Sequence, residues 1–233
     1  MTDDVGLYSI SVRGFDVPSL LRWATATGIP FIHLRGGSRG YCLTSVDRST
    51  LRSWRPIIRD TVPVTGVTAD VDLMDVLARR PESCEEVLRL AEAAAELGAK
   101  WLRLCARIPP APGDARGELP TRAVPLLIEP HHPGWLTPAG FAALPHVRLL
   151  ADTRQLAGQP TMLGPAVERA DVLHLSDQGE GLDTIVANLA ARRIAAGQSI
   201  EVAVEWTGPD RSPKACRDRY RSACAWWRAR EPR

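Results

Sequence analysis

Short apolar runs separated by longer stretches of mixed polarity recur along the whole of this chain. The clearest run covers residues 125–128, leads straight into Glu129 and is followed by Pro130, His131 and His132. An apolar run this short reads as a buried strand, so the acid sits where the strand leaves the core. Three later runs repeat the design. Residues 147–151 end on Asp152, residues 171–173 run into His174, and residues 201–204 end on Glu205.

The rest of the pattern alternates strand and helix. Residues 7–12 predict a first strand ended by Gly14, after which Asp16 caps a helix through about residue 27, with Leu20, Leu21 and Trp23 among its apolar positions and Gly28 closing it. A second strand is predicted over 30–34, followed by a glycine-rich loop over 35–40 that holds Arg35 and Arg39. Asp47 opens a helix through about Asp60, and a third strand follows over 62–67. The strongest helical periodicity lies over 82–98, where Val87, Leu88, Leu90, Ala91, Ala94, Ala95 and Leu97 share the apolar face. The fourth strand spans 100–105, and residues 107–122 are too rich in Pro and Gly to predict a helix. Strands ending at Glu129, Asp152, His174 and Glu205 then alternate with helices over about 138–144, 162–169 and 182–196, and a last helix over 214–230 carries Trp226 and Trp227.

Eight strands alternating with helices demand a parallel sheet, and that number suggests closure. The expectation is one α/β domain over 1–233, a compact (β/α)8 TIM barrel whose fourth helix is missing or reduced. The flank left open there invites the proline-rich loop or a second subunit of a homodimer to cover it. Barrels of this kind place their chemistry at the C-terminal ends of the strands. The Glu, Asp, His and Glu at four such ends are the ligand types of a divalent metal ion.

Composition narrows the partners. At 233 residues, with 45% hydrophobic residues and a net charge of +2, the chain is globular and carries no global signal for nucleic acid or membrane. Lysine occurs only at Lys100 and Lys214, which reads as base composition of the source rather than function. Five cysteines without a Cys-x-x-Cys pair predict reduced thiols and a cytoplasmic setting, and the first residues lack the pattern of a signal peptide. Cys105 reads as a small buried hydrophobe.

Other side chains have positions that suggest contact with a substrate. By strand alternation His131 points the same way as Glu129. Arg35 and Arg39 offer forks for a phosphate or carboxylate. Arg103, flanked by Leu102 and Leu104, is expected inside the barrel, where it needs an anionic substrate or an inner acid as partner. Trp135 and Trp206 directly follow site strands, and Asp177 lies three residues after His174, where it could orient the imidazole or touch substrate.

The ordered set Glu129 in LLIEPHH, Asp152 in LLADTRQ, His174 in VLHLSD and Glu205 in VAVEW resembles the xylose isomerase-like TIM-barrel superfamily, the sugar phosphate isomerase and epimerase group. The resemblance covers nearly the whole chain. It implies one divalent ion (Mn, Mg, Co or Zn) held by Glu129, Asp152, His174 and Glu205. It also implies that Glu129 and Glu205 act as proton acceptor and donor on opposite faces of a small hydroxy-carbonyl substrate, through an enediolate. The chain departs from the pattern at Gln155, where many sugar-acting members have a substrate-contacting His, and in loop 176–181, which lacks their basic residue. The implied substrate is therefore not an ordinary free sugar, and an anionic one would suit Arg35 and Arg103. A dehydratase or lyase of the same superfamily, or a non-catalytic barrel, remains an alternative. A DNA-repair endonuclease is disfavoured by the five histidines and the lack of a basic, aromatic surface.

Overall fold

The computed structural model describes residues 4–110, 119, 123–144, 147–176 and 182–229. Its strands are β1 (Val5–Tyr8), β2 (Ile32–Arg35), β3 (Val64–Asp72), β4 (Leu102–Ala106), β5 (Leu126–Pro130), β6 (Arg148–Asp152), β7 (Ala170–Ser176) and β8 (Glu201–Glu205). They pair in chain order, each parallel to the next, and β8 returns to pair with β1, so the sheet closes as the eight-stranded barrel expected from the sequence. The helices around it are α1 (Val17–Thr27), α2 (Arg48–Asp60), α3 (Leu73–Leu77), α4 (Pro81–Glu96), α5 (Pro138–Ala143), α6 (Thr153–Leu156), α7 (Leu163–Arg169), α8 (Leu182–Ala195) and α9 (Pro213–Arg228). The helix expected to be missing between β4 and β5 falls on residues 111–118 and 120–122, outside the described residues.

Local chemistry explains where the helices begin and end. Asp16 accepts the Ser19 amide at 2.7 Å and Asp47 accepts the Thr50 amide at 2.9 Å, so each aspartate satisfies a backbone donor that the first helical turn leaves free. Gly28 ends α1 at φ 80°, a left-handed conformation costly for residues with a Cβ. Leu20, Leu21, Leu90 and Ala94 are fully buried against the strands. Leu88, expected on the apolar face of α4, is instead 43% exposed, because the buried stripe runs through Val87, Leu90, Ala91 and Ala94.

Three elements differ from the sequence expectation. The first strand stops at Tyr8 and Ser9–Ser11 form a 3-10 turn. Here side-chain hydroxyls replace ladder carbonyls: Ser9 Oγ accepts the Arg35 amide at 2.9 Å and Ser11 Oγ accepts the Trp206 amide at 2.8 Å. Strand β3 runs on to Asp72, well past the end of the apolar run at Val67. Its acids Asp70 and Asp72 are satisfied by Arg35, Arg39 and the amides of Arg107 and Ile108. Short helices α3 and α6 directly follow β3 and β6, capped by Asp72 and Asp152, whose side chains accept the amides of Met74 and Arg154. Among the described residues, no helix is long and apolar enough to cross a membrane.

One close approach links the wall to the interior. A Cβ on Gly66 of β3 would stand 2.0 Å from the indole ring of Trp101, so this strand position has to be glycine for the ring to lie over it. Gly66→Ala is expected to lower unfolding free energy by about 1–3 kcal/mol through overpacking, read from the urea midpoint. A wild-type midpoint would show that the ring is free to move.

Candidate active site

The parallel order brings the ends of β5 to β8 to one rim. Asp152 is in register with His174, and Ser176 with Glu205. Asp152, His174 and Glu205 are all buried, and each offers a ligand atom within 4.8 Å of the other two. The Arg154 amide donates to Asp152 Oδ1 at 2.7 Å, and His174 Nδ1 lies 3.1 Å from Glu205 Oε2. Burial, then the charges of Glu205 and Glu129, push the Asp152 carboxyl well above the usual carboxylate range. Two acids and an imidazole crowded in this way form a donor set that favours a cation.

Glu129 sits beside this trio in a second group with Cys105 and His131, again with ligand atoms within 4.8 Å of one another. Glu129 Oε2 is 2.8 Å from Arg103 Nε, and Oε1 is 3.0 Å from His131 Nε2. These are ion-pair distances with poor alignment, so Glu129 Oε2, Arg103 Nε and His131 Nε2 are buried without a hydrogen bond. Burial alone would raise Glu129, but Arg103 and His131 outweigh it and hold the carboxyl below its usual range. Burial opposes protonation of His131, yet Glu129 and Cys105 lift it to about 10. Arg103 Nη1 also donates to Cys105 Sγ at 2.6 Å and to the Ala69 carbonyl at 2.7 Å. Cys105 is thus buried as expected but is no inert hydrophobe. Burial raises its thiol, and Arg103 and His131 overcome that and lower it.

The remaining candidates spread outward. Arg35 and Arg39 reach the same Asp70 carboxylate, with Nη2 to Oδ1 distances of 2.9 and 2.7 Å, so each already has an anion. Gln155 lies half-buried on α6, directly after β6. Asp177 lies outside the described residues. Trp135 is fully buried and its Nε1 donates to the Ile108 carbonyl at 2.7 Å, which makes it a core residue.

Sequence reasoning missed a line of side chains inside the barrel. His33 Nδ1 lies 2.9 Å from His174 Nε2, and His33 Nε2 lies 2.7 Å from Glu201 Oε1. Thr65 Oγ1 and Trp101 Nε1 donate to the same Glu201 oxygen at 2.8 and 3.3 Å. Burial drives His33 down to about 4 in spite of the pull of Glu201. Tyr8 bonds Thr68 at 2.7 Å and packs its ring 4.8 Å from that of His174. The signal available for Tyr8 and His33 was a polar tip inside an apolar run.

No protein-family model and no curated protein matches the sequence. Solved structures do match over nearly the full length. The 3-keto-D-glucoside 4-epimerase YcjR from E. coli shares 17% identity, with 97% of this chain and 99% of that chain covered at a TM-score of 0.66. A xylose isomerase-like TIM barrel protein from Mycobacterium smegmatis, in complex with magnesium, shares 12% identity over 96% of each chain at a TM-score of 0.66. The chain has the fold of the xylose isomerase-like TIM barrels. The chain is also similar to the IolI protein with a bound zinc atom, at 12% identity, with 96% of this chain and 97% of that chain covered and a TM-score of 0.72.

The His131–Glu129 pair has a pH signature. A histidine raised from 6.5 to about 10 contributes stability that is complete below about 6.5 and is lost as pH rises through about 10. The wild-type urea midpoint should therefore fall between those limits more than that of His131→Gln. Parallel curves would show that the pair does not form in solution.

Proposed function

We propose that this chain is a divalent-metal-dependent isomerase or epimerase of a small hydroxy-carbonyl compound. The observation that carries the reading is the convergence of Asp152, His174 and Glu205 beside the separately buried, charged Glu129. Oxygen and imidazole donors of this kind suit Mn, Mg, Co or Zn. Asp152, His174 and Glu205 would hold the ion, and Glu129, paired with Arg103 through Oε2 and with His131 through Oε1, would join them or take a proton. The bound ion supplies Lewis-acid polarisation of a carbonyl oxygen and its neighbouring hydroxyl. The magnesium and zinc in two structural neighbours support the metal, and the epimerase activity of a third supports the reaction class.

The protein's own groups supply the rest. A proton on the carbon beside the carbonyl passes to one glutamate, leaving an enediolate, and a proton returns from the other. Glu129 and Glu205 stand on β5 and β8, three strands apart around the ring. Held by Arg103 and His131, Glu129 is ionised but weakly basic. Arg103 is held beside it by that ion pair and by its Nη1 bonds to Cys105 and the Ala69 carbonyl. A substrate anion or carbonyl that shared the Arg103 charge would raise the basicity of Glu129.

The test is exchange of the substrate's α-proton in deuterated water, screened over carbonyl compounds with an adjacent hydroxyl and an anionic group. Glu129→Gln should slow exchange roughly 10²–10⁴-fold at saturating metal. His174→Ala should lose exchange through weaker metal binding and regain part of it with excess metal. Full exchange in both Glu129→Gln and Glu205→Gln would sink the mechanism.

A further inference from the structure

Behind the three candidate ligands lies a set of groups that the mechanism above does not use. Glu201 opens β8, four positions before Glu205, toward the opposite end of the barrel. Its side chain is 21% exposed, and its Oε1 collects three donors, from His33, Thr65 and Trp101. His33 is fully buried between Glu201 and His174. The two imidazole rings stack at 5.1 Å with 23° between their planes, and Trp101 meets His33 edge-on at 4.7 Å.

We infer that His33 and Glu201 are positioning residues that place the proton of His174 on Nε2 and so turn its Nδ1 toward Asp152 and Glu205. The inference rests on the metal reading above. A carboxylate only accepts, so Glu201 requires the proton of His33 on Nε2. A neutral His33 then has a bare Nδ1, which only accepts as well. His174 Nε2, 2.9 Å away, must be the donor. Its Nδ1, 3.1 Å from Glu205 Oε2, is left as the atom that meets a cation in the acid pair. Ligand histidines are commonly fixed by a carboxylate on their far nitrogen, which sets the tautomer and raises basicity. Here the carboxylate acts through an intervening imidazole. The full burial of His33 and the three donors gathered on one Glu201 oxygen agree with this direction.

The experiment uses the full chain with zinc as probe. Long-range proton–nitrogen spectra of histidine-labelled wild type should show His174 protonated on Nε2 and His33 protonated on Nε2 alone, with zinc shifting His174 Nδ1. Zinc affinity, measured by competition with a chelating dye, should fall about 10–100-fold in His33→Leu. His33→Gln, which keeps one acceptor and one donor, should restore most of that loss, and both variants should be compared by unfolding midpoint. A bare His174 Nε2, or unchanged zinc affinity in a folded His33→Leu, overturns the inference while leaving the metal reading intact. A wild type that binds neither zinc nor manganese overturns the metal reading and this inference with it. Should His33→Leu fail to fold, the wild-type spectra decide.

Discussion

Strand β8 pairs with β7 on one side and β1 on the other, and this last pairing turns a twisted sheet into a ring. A closed ring has no unpaired edge, and its strands all run the same way, so every C-terminal end arrives at one rim. Residues far apart in the chain, such as Glu129 and Glu205, reach a common region for that reason alone. The closure is reinforced above β1, where Ser9 and Ser11 accept amides from the neighbouring strand ends. Without those hydroxyls the backbone donors of Arg35 and Trp206 would be left over at the point where β1 stops.

Inside the rim, two groups of buried charge differ in how they are balanced. Arg103, His131, Glu129 and Cys105 form a compensated group in which two cationic side chains answer the acid and the thiol. Asp152 and Glu205 answer each other, with the His174 imidazole between strands. Removing an ion from water costs several kcal/mol, so a pair of facing carboxylates without a cation is a poor choice for stability. That contrast distinguishes the group suited to an external cation from the one that carries its own. Arg103 connects them, because Glu129 from one group and Glu205 from the other both favour its charged form.

The acids at the end of β3 anchor the loops at the rim. Asp70 draws in both Arg35 and Arg39, and Asp72 takes the amides of Arg107 and Ile108. The glycine-rich loop is therefore tied to the barrel through this carboxylate as well as through the Thr68 carbonyl, which accepts the amides of Gly36 and Gly37. Its arginines contribute net positive charge near the rim, but an incoming anion would compete with Asp70 for them.

Periodicity alone was enough to predict the barrel, because a buried strand needs a short apolar run and an amphipathic helix needs its stripe, and both are local properties. The ends of α1 and α2 were readable from Asp16, Gly28 and Asp47, whose capping chemistry involves only near neighbours. The positions of Glu129, Asp152 and Glu205 at strand ends were legible for the same reason, whereas β7 runs on past His174 to Ser176. Which of these four come within ligand distance of one another, and which is paired with Arg103, was not legible, since that depends on distances between strands. Strand β3 was read short because its polar half is stabilised by arginines from other loops. His33 and Glu201 stayed hidden because a lone histidine in FIHL and an acid at a strand start are locally unremarked. Only the closed ring sets β2 across from β7 and β8, where one imidazole can lie within hydrogen-bond reach of both His174 and Glu201.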